Sequence, residues 1–117
     1  MRYTYIYNNS ANPSGKLDTL DTVFANFVSV SSDPYAVASS DAIILADASV
    51  GAIGVNLPSA ALNQSRILTI KKVDSSGNLV SINCNGAEKI DGESTIDINT
   101  QWAAVTIFCD GDNWYII

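Results

Sequence analysis

The sequence contains no histidine. This absence removes the side chain that most often serves as a general acid or base near neutral pH and that most often binds transition metals. Aspartate and glutamate remain, but beyond residue 40 nearly all of them lie in or beside turn sequences, where a carboxylate can bond the local backbone. We therefore predict a protein that is not an enzyme and that has no catalytic residues, no bound metal and no cofactor.

Positive charge is scarce as well. Six lysines and arginines are scattered along 117 residues, and the formal net charge is −6. A chain without a basic patch has little to hold a phosphate backbone or an anionic lipid surface, so we predict neither a nucleic-acid partner nor a membrane partner. The longest apolar run, residues 42–46, is far shorter than the roughly 20 residues that span a bilayer. The first residues lack the apolar block of a secretory signal, which predicts synthesis in a cytoplasm.

The cysteines are too few for a disulfide framework. Cys84 and Cys109 each fall on the apolar side of an alternating segment, and no histidine or second cysteine stands close to either in sequence. This placement predicts two buried free thiols that pack as small core residues.

Charged residues make up only 15% of the chain, whereas hydrophobic residues make up 47%. A typical soluble domain carries about a quarter of its residues charged. Because a domain of this size has a large surface relative to its core, part of the apolar excess must lie outside, where contiguous apolar patches mark contacts with partners. The composition thus predicts obligate association.

Residues 1–38 are predicted to form an N-terminal arm with one short helix. Tyr3, Tyr5 and Tyr7 share one side of an alternating stretch, and the turn-forming residues 8–15 follow, which together favour an extended arm. The next apolar residues recur at helical spacing over about three turns. They are Leu17, Leu20, Val23, Phe24 and Phe27.

Residues 39–117 change to a period of two, which predicts an all-β domain. The alternation gives about seven strands, at residues 42–47, 53–57, 66–73, 78–83, 94–98, 102–109 and 113–117. Short connectors rich in Asp, Asn and Gly favour antiparallel neighbours. The predicted fold is therefore an antiparallel sandwich or a jelly-roll-like meander.

Two groups of residues could bind a ligand, and each has a structural alternative. Trp102, Trp114 and Tyr115 could stack on a glycan, although aromatics in a small β domain more often pack in the core or at an interface. The segment 110–113 (DGDN) has the clustered oxygens that calcium prefers, but it lacks the spacing and the bidentate glutamate of a calcium-binding loop. An Asp-Gly pair before an aromatic strand is typical of a hairpin turn.

Five sequence elements follow one another in the second part of the chain. In order, they are a strand ending in Asp-Ala, a strand ending in Leu-Pro, an I-K-K-x-D hairpin, an I-D-G turn and a closing D-G-x-N-W-Y. They correspond here to residues 44–49 (ILADAS), 55–60 (VNLPSA), 68–74 (LTIKKVD), 90–92 (IDG) and 105–115 (VTIFCDGDNWY). Taken together, they resemble a β module found in phage tail fibres and other virion surface proteins. The resemblance covers roughly residues 41–117 and implies a virion protein that forms homotrimers.

A fibre usually carries this module at the end of a long shaft, whereas a start at Met1 and a close at Ile117 suggest a complete short product. We therefore expect a capsid decoration or cement protein, made in the host bacterial cytoplasm and located in the virion. The expected partners are sister copies and other virion proteins. The residues expected at the oligomer or shell interface are Tyr3, Tyr5, Tyr7, Leu20, Phe24 and Phe27.

The alternative is a tail-fibre or spike tip that binds a host-surface glycan through Trp102, Trp114 or Tyr115. A third class, a glycan-degrading enzyme, would need a cleft with converging carboxylates. So short a chain without histidine offers little from which to build one.

Overall fold

The computed structural model describes residues 24–117, and within that range regular secondary structure is almost entirely β. A single 3-10 turn occupies Ala60–Leu62 in this part of the chain. The nine strands are β1 (Phe27–Val30), β2 (Tyr35–Ala36), β3 (Ile43–Ala46), β4 (Ile53–Asn56), β5 (Ile67–Lys72), β6 (Val80–Asn83), β7 (Thr95–Ile98), β8 (Ala104–Cys109) and β9 (Trp114–Ile116). All seven strands predicted after residue 39 are present, with ends that differ by at most two residues.

The strands form two sheets that pack face to face. The five-stranded sheet has the order β1-β3-β5-β8-β9, and the four-stranded sheet has the order β2-β4-β6-β7. From β1 to β6 the chain alternates between the sheets, so that the strands it adds to each sheet run parallel to one another. The last part of the chain adds antiparallel pairs, namely β6 with β7, β5 with β8, and β8 with β9.

This arrangement confirms the predicted all-β sandwich but corrects the predicted strand directions, because both sheets are mixed. The prediction assumed that a short connector joins neighbours in one sheet. Loops 47–52 and 57–66 instead carry the chain across the roughly 10 Å between the two layers, which places consecutive strands in different sheets. A hairpin of the expected kind joins β8 to β9, with Gly111 at φ 99° in its turn.

The core fills the space between the layers with aliphatic side chains from both sheets. Ile44, Leu68 and Ile107 come from the larger sheet, while Val80 and Ile82 come from the smaller one, and none of them is exposed to solvent. Burying an aliphatic side chain of this size is worth about 1.5–3 kcal/mol relative to leaving it exposed.

The two thiols differ in their surroundings. Both are free, but Cys109 is buried in the core whereas Cys84 is only partly buried at its margin. The sequence prediction of a buried free thiol is thus confirmed for Cys109 and holds only in part for Cys84. Burial raises the pKa of both thiols, which favours their neutral form.

The predicted N-terminal helix is wrong where it enters the described range. Phe24–Asn26 have no regular secondary structure, and Phe27 begins β1. The backbone of β1 pairs with β3, and Val30 faces the core while Phe27 and Ser29 are exposed, so this segment follows the period of a strand. The rest of the predicted helix, with Leu20, lies outside the described residues, as do Tyr3, Tyr5 and Tyr7. β1 and β2 fall within the range assigned to the arm, yet they form edge strands of the two sheets.

Candidate functional site

The outer face of the five-stranded sheet carries almost no charge. Side chains of a strand alternate between its two faces, so the register identifies the residues that point away from the core. This surface, called the apolar face below, consists of Phe27, Ser29, Ile43, Leu45, Ile67, Thr69, Lys71, Ala104, Thr106, Phe108, Tyr115 and Ile117. Most of its members are aliphatic or aromatic, and none of them is acidic.

Most polar side chains of the apolar face have a hydrogen-bond partner in the fold. Thr69 and Thr106 lie opposite each other at its centre, and their hydroxyl oxygens are 3.0 Å apart, within hydrogen-bonding distance. The ammonium of Lys71 donates to the carbonyl oxygen of Trp102 at 2.7 Å. The face therefore presents a surface that water solvates poorly, and Phe27 at 61% and Ile117 at 68% exposure are left open at its edges.

The outer face of the four-stranded sheet has the opposite character. This surface, called the polar face below, consists of Ala36, Gly54, Asn56, Ser81, Asn83, Thr95 and Asp97. Thr95 donates to Asn83, and Asn83 donates to Asn56, both at 3.0 Å, which forms a ladder across three strands. Gly54 fits beside this ladder because an added Cβ would approach the amide nitrogen of Asn83 to 3.1 Å.

The contrast between the faces identifies the apolar face as the candidate functional site. A sheet that packs on the core with one side and faces water with the other normally alternates apolar with polar residues. The four-stranded sheet follows that rule, whereas the five-stranded sheet is apolar on both sides. A strand that is hydrophobic on both sides is typical of a sheet covered on both sides, so the apolar face has the composition of a buried surface.

The three aromatics predicted to contact a glycan do not form one site. Trp114 has no exposed surface, so it cannot stack on a sugar, and that prediction is corrected. Tyr115 lies opposite Phe108, whereas Trp102 precedes Ala104 at the other end of β8. Ala104 and Phe108, near opposite ends of that strand, are about 13 Å apart at the usual rise per residue. Trp102 and Tyr115 are therefore two separate exposed aromatics.

Trp102 is held in an uncommon backbone conformation. Its φ is 71°, in the left-handed region that residues other than glycine seldom adopt, and its side chain is 59% exposed. Its N–H donates to the carbonyl of Lys72 at 2.8 Å, while its own carbonyl accepts from Lys71. The indole is thus presented to solvent at the tip of a loop that is anchored to β5.

Tyr115 is fixed by a turn rather than free to bind. Its hydroxyl donates to Asp110 Oδ2 at 2.9 Å, and this hydrogen bond raises the pKa of the phenol. The other oxygen of Asp110 accepts the backbone N–H groups of Asp112 and Asn113, both at 2.8 Å. These backbone bonds, together with that of Tyr115, lower the pKa of the Asp110 carboxyl. Of the two carboxylates in the calcium-like segment 110–113, that of Asp110 is accordingly occupied as the cap of a hairpin turn.

A buried polar cluster, which the sequence analysis did not predict, lies at one end of the sandwich. It connects the Asp-Ala element with the I-K-K-x-D element. Lys72, whose side chain is fully buried, donates to Asp74 Oδ2 at 2.8 Å. Asp74 Oδ1 accepts the N–H of Ala48 at 2.7 Å, and Oδ2 also accepts the N–H and the hydroxyl of Ser76. The carbonyl of Ala48 accepts from Asn78 at 2.8 Å. This ion-pair cluster (Lys72, Asp74, Ser76, Ala48 and Asn78) ties the loop after β3 to the loop after β5.

The ion-pair cluster has the residue types of a catalytic group, but its geometry serves structure. The ammonium of Lys72 is paired with the carboxylate of Asp74, so both groups are engaged within the fold. Burial alone would raise the pKa of Asp74, but the hydrogen bonds from Lys72, Ser76 and Ala48 outweigh it and hold that pKa well below its ordinary value. A signal for the cluster was present in the sequence, since Lys72 and Asp74 belong to the I-K-K-x-D element and Ala48 belongs to the Asp-Ala element.

The other motif elements also meet in space. Ile90 is buried and forms a bridge to Trp114, while Asp91 and Gly92 have φ values of 48° and 85°, as a tight type I′ turn requires. Asp91 Oδ1 accepts the N–H of Ile116 at 3.2 Å, so the I-D-G turn covers the outer edge of β9. These motif elements therefore stabilise the fold by connecting loops and strands that are distant in sequence.

A shallow cleft of about 420 Å³ lies where β1 and β3 end. It is lined by Ser29, Val30, Ser31, Leu45, Asp47 and Val73. Among these described residues Asp47 is the one ionisable group, and its Oδ1 accepts the N–H of Ser49 at 3.0 Å.

Over residues 24–117 no group of three or more Asp, Glu or Cys side chains converges as a metal site would require. No helix in that range is long and apolar enough to cross a membrane.

No protein-family model matches the chain, and no curated protein is significantly similar to it. The resemblance to a virion β module rests on the five motif elements alone. The function must therefore be argued from the geometry of the two faces and from the residues that line them.

Proposed function

We propose that this protein is a structural component of a bacteriophage virion, a homotrimeric decoration or cement subunit that stabilises the head. The observation that carries the proposal is the apolar face, whose strand positions carry no acidic residue on a chain of net charge −6. Contiguous apolar surfaces often mark contacts with other proteins, and this supports association as the role of the domain.

The rest of the described chain supports a mechanical role. The polar groups with the most hydrogen bonds, those of the ion-pair cluster and the Asp110 turn, bond to other groups of the fold. Phe24 and Phe27, which the sequence predicted at an interface, are both exposed, and Phe27 belongs to the apolar face. The motif resemblance points to the same class of protein. The proposed location is the virion, after synthesis in the host bacterial cytoplasm.

A particle assay tests this role. Phage particles that lack the protein should release their DNA at a temperature several degrees lower than complete particles, because the contacts between neighbouring shell subunits are lost. Adding the purified protein back should restore the original release temperature, and cryo-EM of the restored particles should show its density on the head. Equal release temperatures with and without the protein would rule out the cement role.

A tail-fibre or spike tip that binds a host-surface glycan is the second candidate, and Trp102 is the observation that favours it. An exposed indole held in place by backbone hydrogen bonds is pre-organised for stacking. Trp102→Ala should then lower the affinity for host-surface polysaccharide by at least about tenfold and leave the oligomer intact.

Tyr115→Phe is the matched control for that experiment, because it keeps an aromatic ring at the other exposed site and removes only the hydroxyl bonded to Asp110. Its binding should equal that of the wild type. Wild-type protein that does not bind host polysaccharide on an array or on whole cells would eliminate the glycan candidate.

A further inference from the structure

We propose that the apolar face is the surface on which copies of this chain pack against one another, so that contacts with the shell are made elsewhere on the subunit. This proposal adds an interface to the proposed function, and it takes the number of copies in the complex, three, from that function. It assigns one occupant, a second copy of the chain, to one defined surface.

Charge favours a sister copy as the occupant. Each chain carries a formal net charge of −6, so two copies repel each other least when they meet through a surface with few carboxylates. The strand positions of the apolar face carry no carboxylate, and Asp47 and Asp110 lie at its borders beside Leu45 and Tyr115. The single charged residue of the face is Lys71, whose ammonium donates to the carbonyl of Trp102. The polar face carries Asp97, and Asp33 lies against Gly54 beside it.

Shape favours the same occupant. A largely apolar sheet surface has no extended donor and acceptor pattern that a partner must match, so the same surface of other copies can pack against it, as a pair or around a common axis. Sheets that pack on each other in β-sandwiches do so through faces of this composition, about 10 Å apart. The central pair, Thr69 and Thr106, already bond each other, so one of their two hydroxyl donors keeps an acceptor when the face is covered.

The area is also of the right order. Five strands about 4.8 Å apart and about five residues long give a face of roughly 24 by 16 Å, or about 400 Å². A stable interface takes about 800 Å² from each partner, so the face can form the centre of an interface whose rim comes from adjoining residues. Phe24, which is exposed and stands close in sequence to Phe27, can supply part of that rim.

Sedimentation of the full-length chain between about 1 and 100 µM tests the assignment, a range that brackets the Kd of a moderately stable complex. The wild type should form a complex whose mass is three times the 12.4 kDa of the chain. Thr106→Arg places a charge at the centre of the face, and Ile117→Lys places one at its exposed edge, where folding is least at risk. Each should raise the dissociation constant by about 100-fold or more.

Thr95→Arg is the matched control, since it makes the same change on the polar face. It should leave the complex intact, and circular dichroism should show all three variants folded. If Thr106→Arg fails to fold, the dissociation constant of Ile117→Lys alone tests the proposed interface.

The proposed interface is wrong if the wild type stays monomeric, or if the variants assemble as well as Thr95→Arg does. A dimer sensitive to Thr106→Arg would support the interface and refute only the trimer. The cement role fails separately, through the particle assay.

Discussion

Replacing Asp74 with alanine is expected to lower the Tm at neutral pH by on the order of 10 °C. The substitution leaves the ammonium of Lys72 buried without its counter-ion and removes the acceptor of the Ala48 and Ser76 N–H groups. An unpaired charge in the interior costs far more than the pair contributes when it is complete. Thermal unfolding followed by circular dichroism measures the effect.

Two further variants separate the ion pair from a general loss of loop structure. Asp47→Ala is the control, because the Asp47 carboxylate accepts a single turn bond, from Ser49, and its loss should change the Tm by no more than a few degrees. The double variant Lys72→Met with Asp74→Ala should regain part of the lost stability, since no charge is then buried alone. A Tm for Asp74→Ala within the range of the Asp47 control would contradict the role assigned to the cluster.

The same cluster makes stability depend on pH in a defined direction. The folded state holds the pKa of Asp74 below its ordinary value, whereas in the unfolded chain it is near about 3.9. The unfolded chain therefore takes up a proton first as pH falls, so the contribution of Asp74 is complete above about pH 4 and is lost towards the lower folded pKa. Below that pH the Tm of the wild type should fall more steeply than that of Asp74→Asn. Asp110, whose pKa is also lowered, is present in both proteins and cancels in the comparison.

The strands after residue 39 could be read from the sequence because each buries alternate residues. In β5, Leu68 and Ile70 are buried while Ile67 is exposed and Thr69 is half-buried, and this period of two is visible in the sequence itself. β1 was missed for a local reason. Phe24 and Phe27 stand three residues apart, a spacing that suits a helix, and the pairing of Phe27 with Ile43 that makes the segment a strand is a tertiary contact.

Which strands pair, and in which direction, could not be read from the same pattern. A period of two fixes which side of a strand is buried, but it does not say whether a connector turns back within one sheet or crosses to the other. The apolar face shows the same limit. Ile67, Phe108 and Tyr115 are far apart in sequence, and only the register of β5, β8 and β9 brings them into one surface.

The aromatics illustrate how burial decides between two interpretations of one residue type. Trp102 and Trp114 were equal candidates for a sugar site in the sequence, and both stand at the beginning of an alternating segment. The structure buries Trp114 completely and exposes Trp102. Substitution of Trp114 should therefore lower the stability of the fold. Substitution of Trp102 should leave the stability nearly unchanged and affect only glycan binding.

Trp114→Ala is expected to lower the free energy of unfolding by about 3–5 kcal/mol, because it removes the largest fully buried side chain and leaves a cavity in the core. Urea denaturation followed by circular dichroism measures the loss, since this signal does not depend on the tryptophan that is removed. Trp102→Ala, at the exposed position, should change the same quantity by no more than about 0.5 kcal/mol.

Trp114→Phe distinguishes packing from hydrogen bonding at this site. The Nε1–H of Trp114 is buried without a hydrogen-bond partner among the described residues, and leaving such a donor unsatisfied costs about 1–3 kcal/mol. Phenylalanine removes that donor while keeping an aromatic ring, so the gain offsets part of the volume lost, and the variant should be much more stable than Trp114→Ala. Trp114→Ala could instead unfold at the same urea concentration as the wild type and lose only glycan binding. In that case Trp114 belongs to a binding surface, and its assignment to the core is wrong.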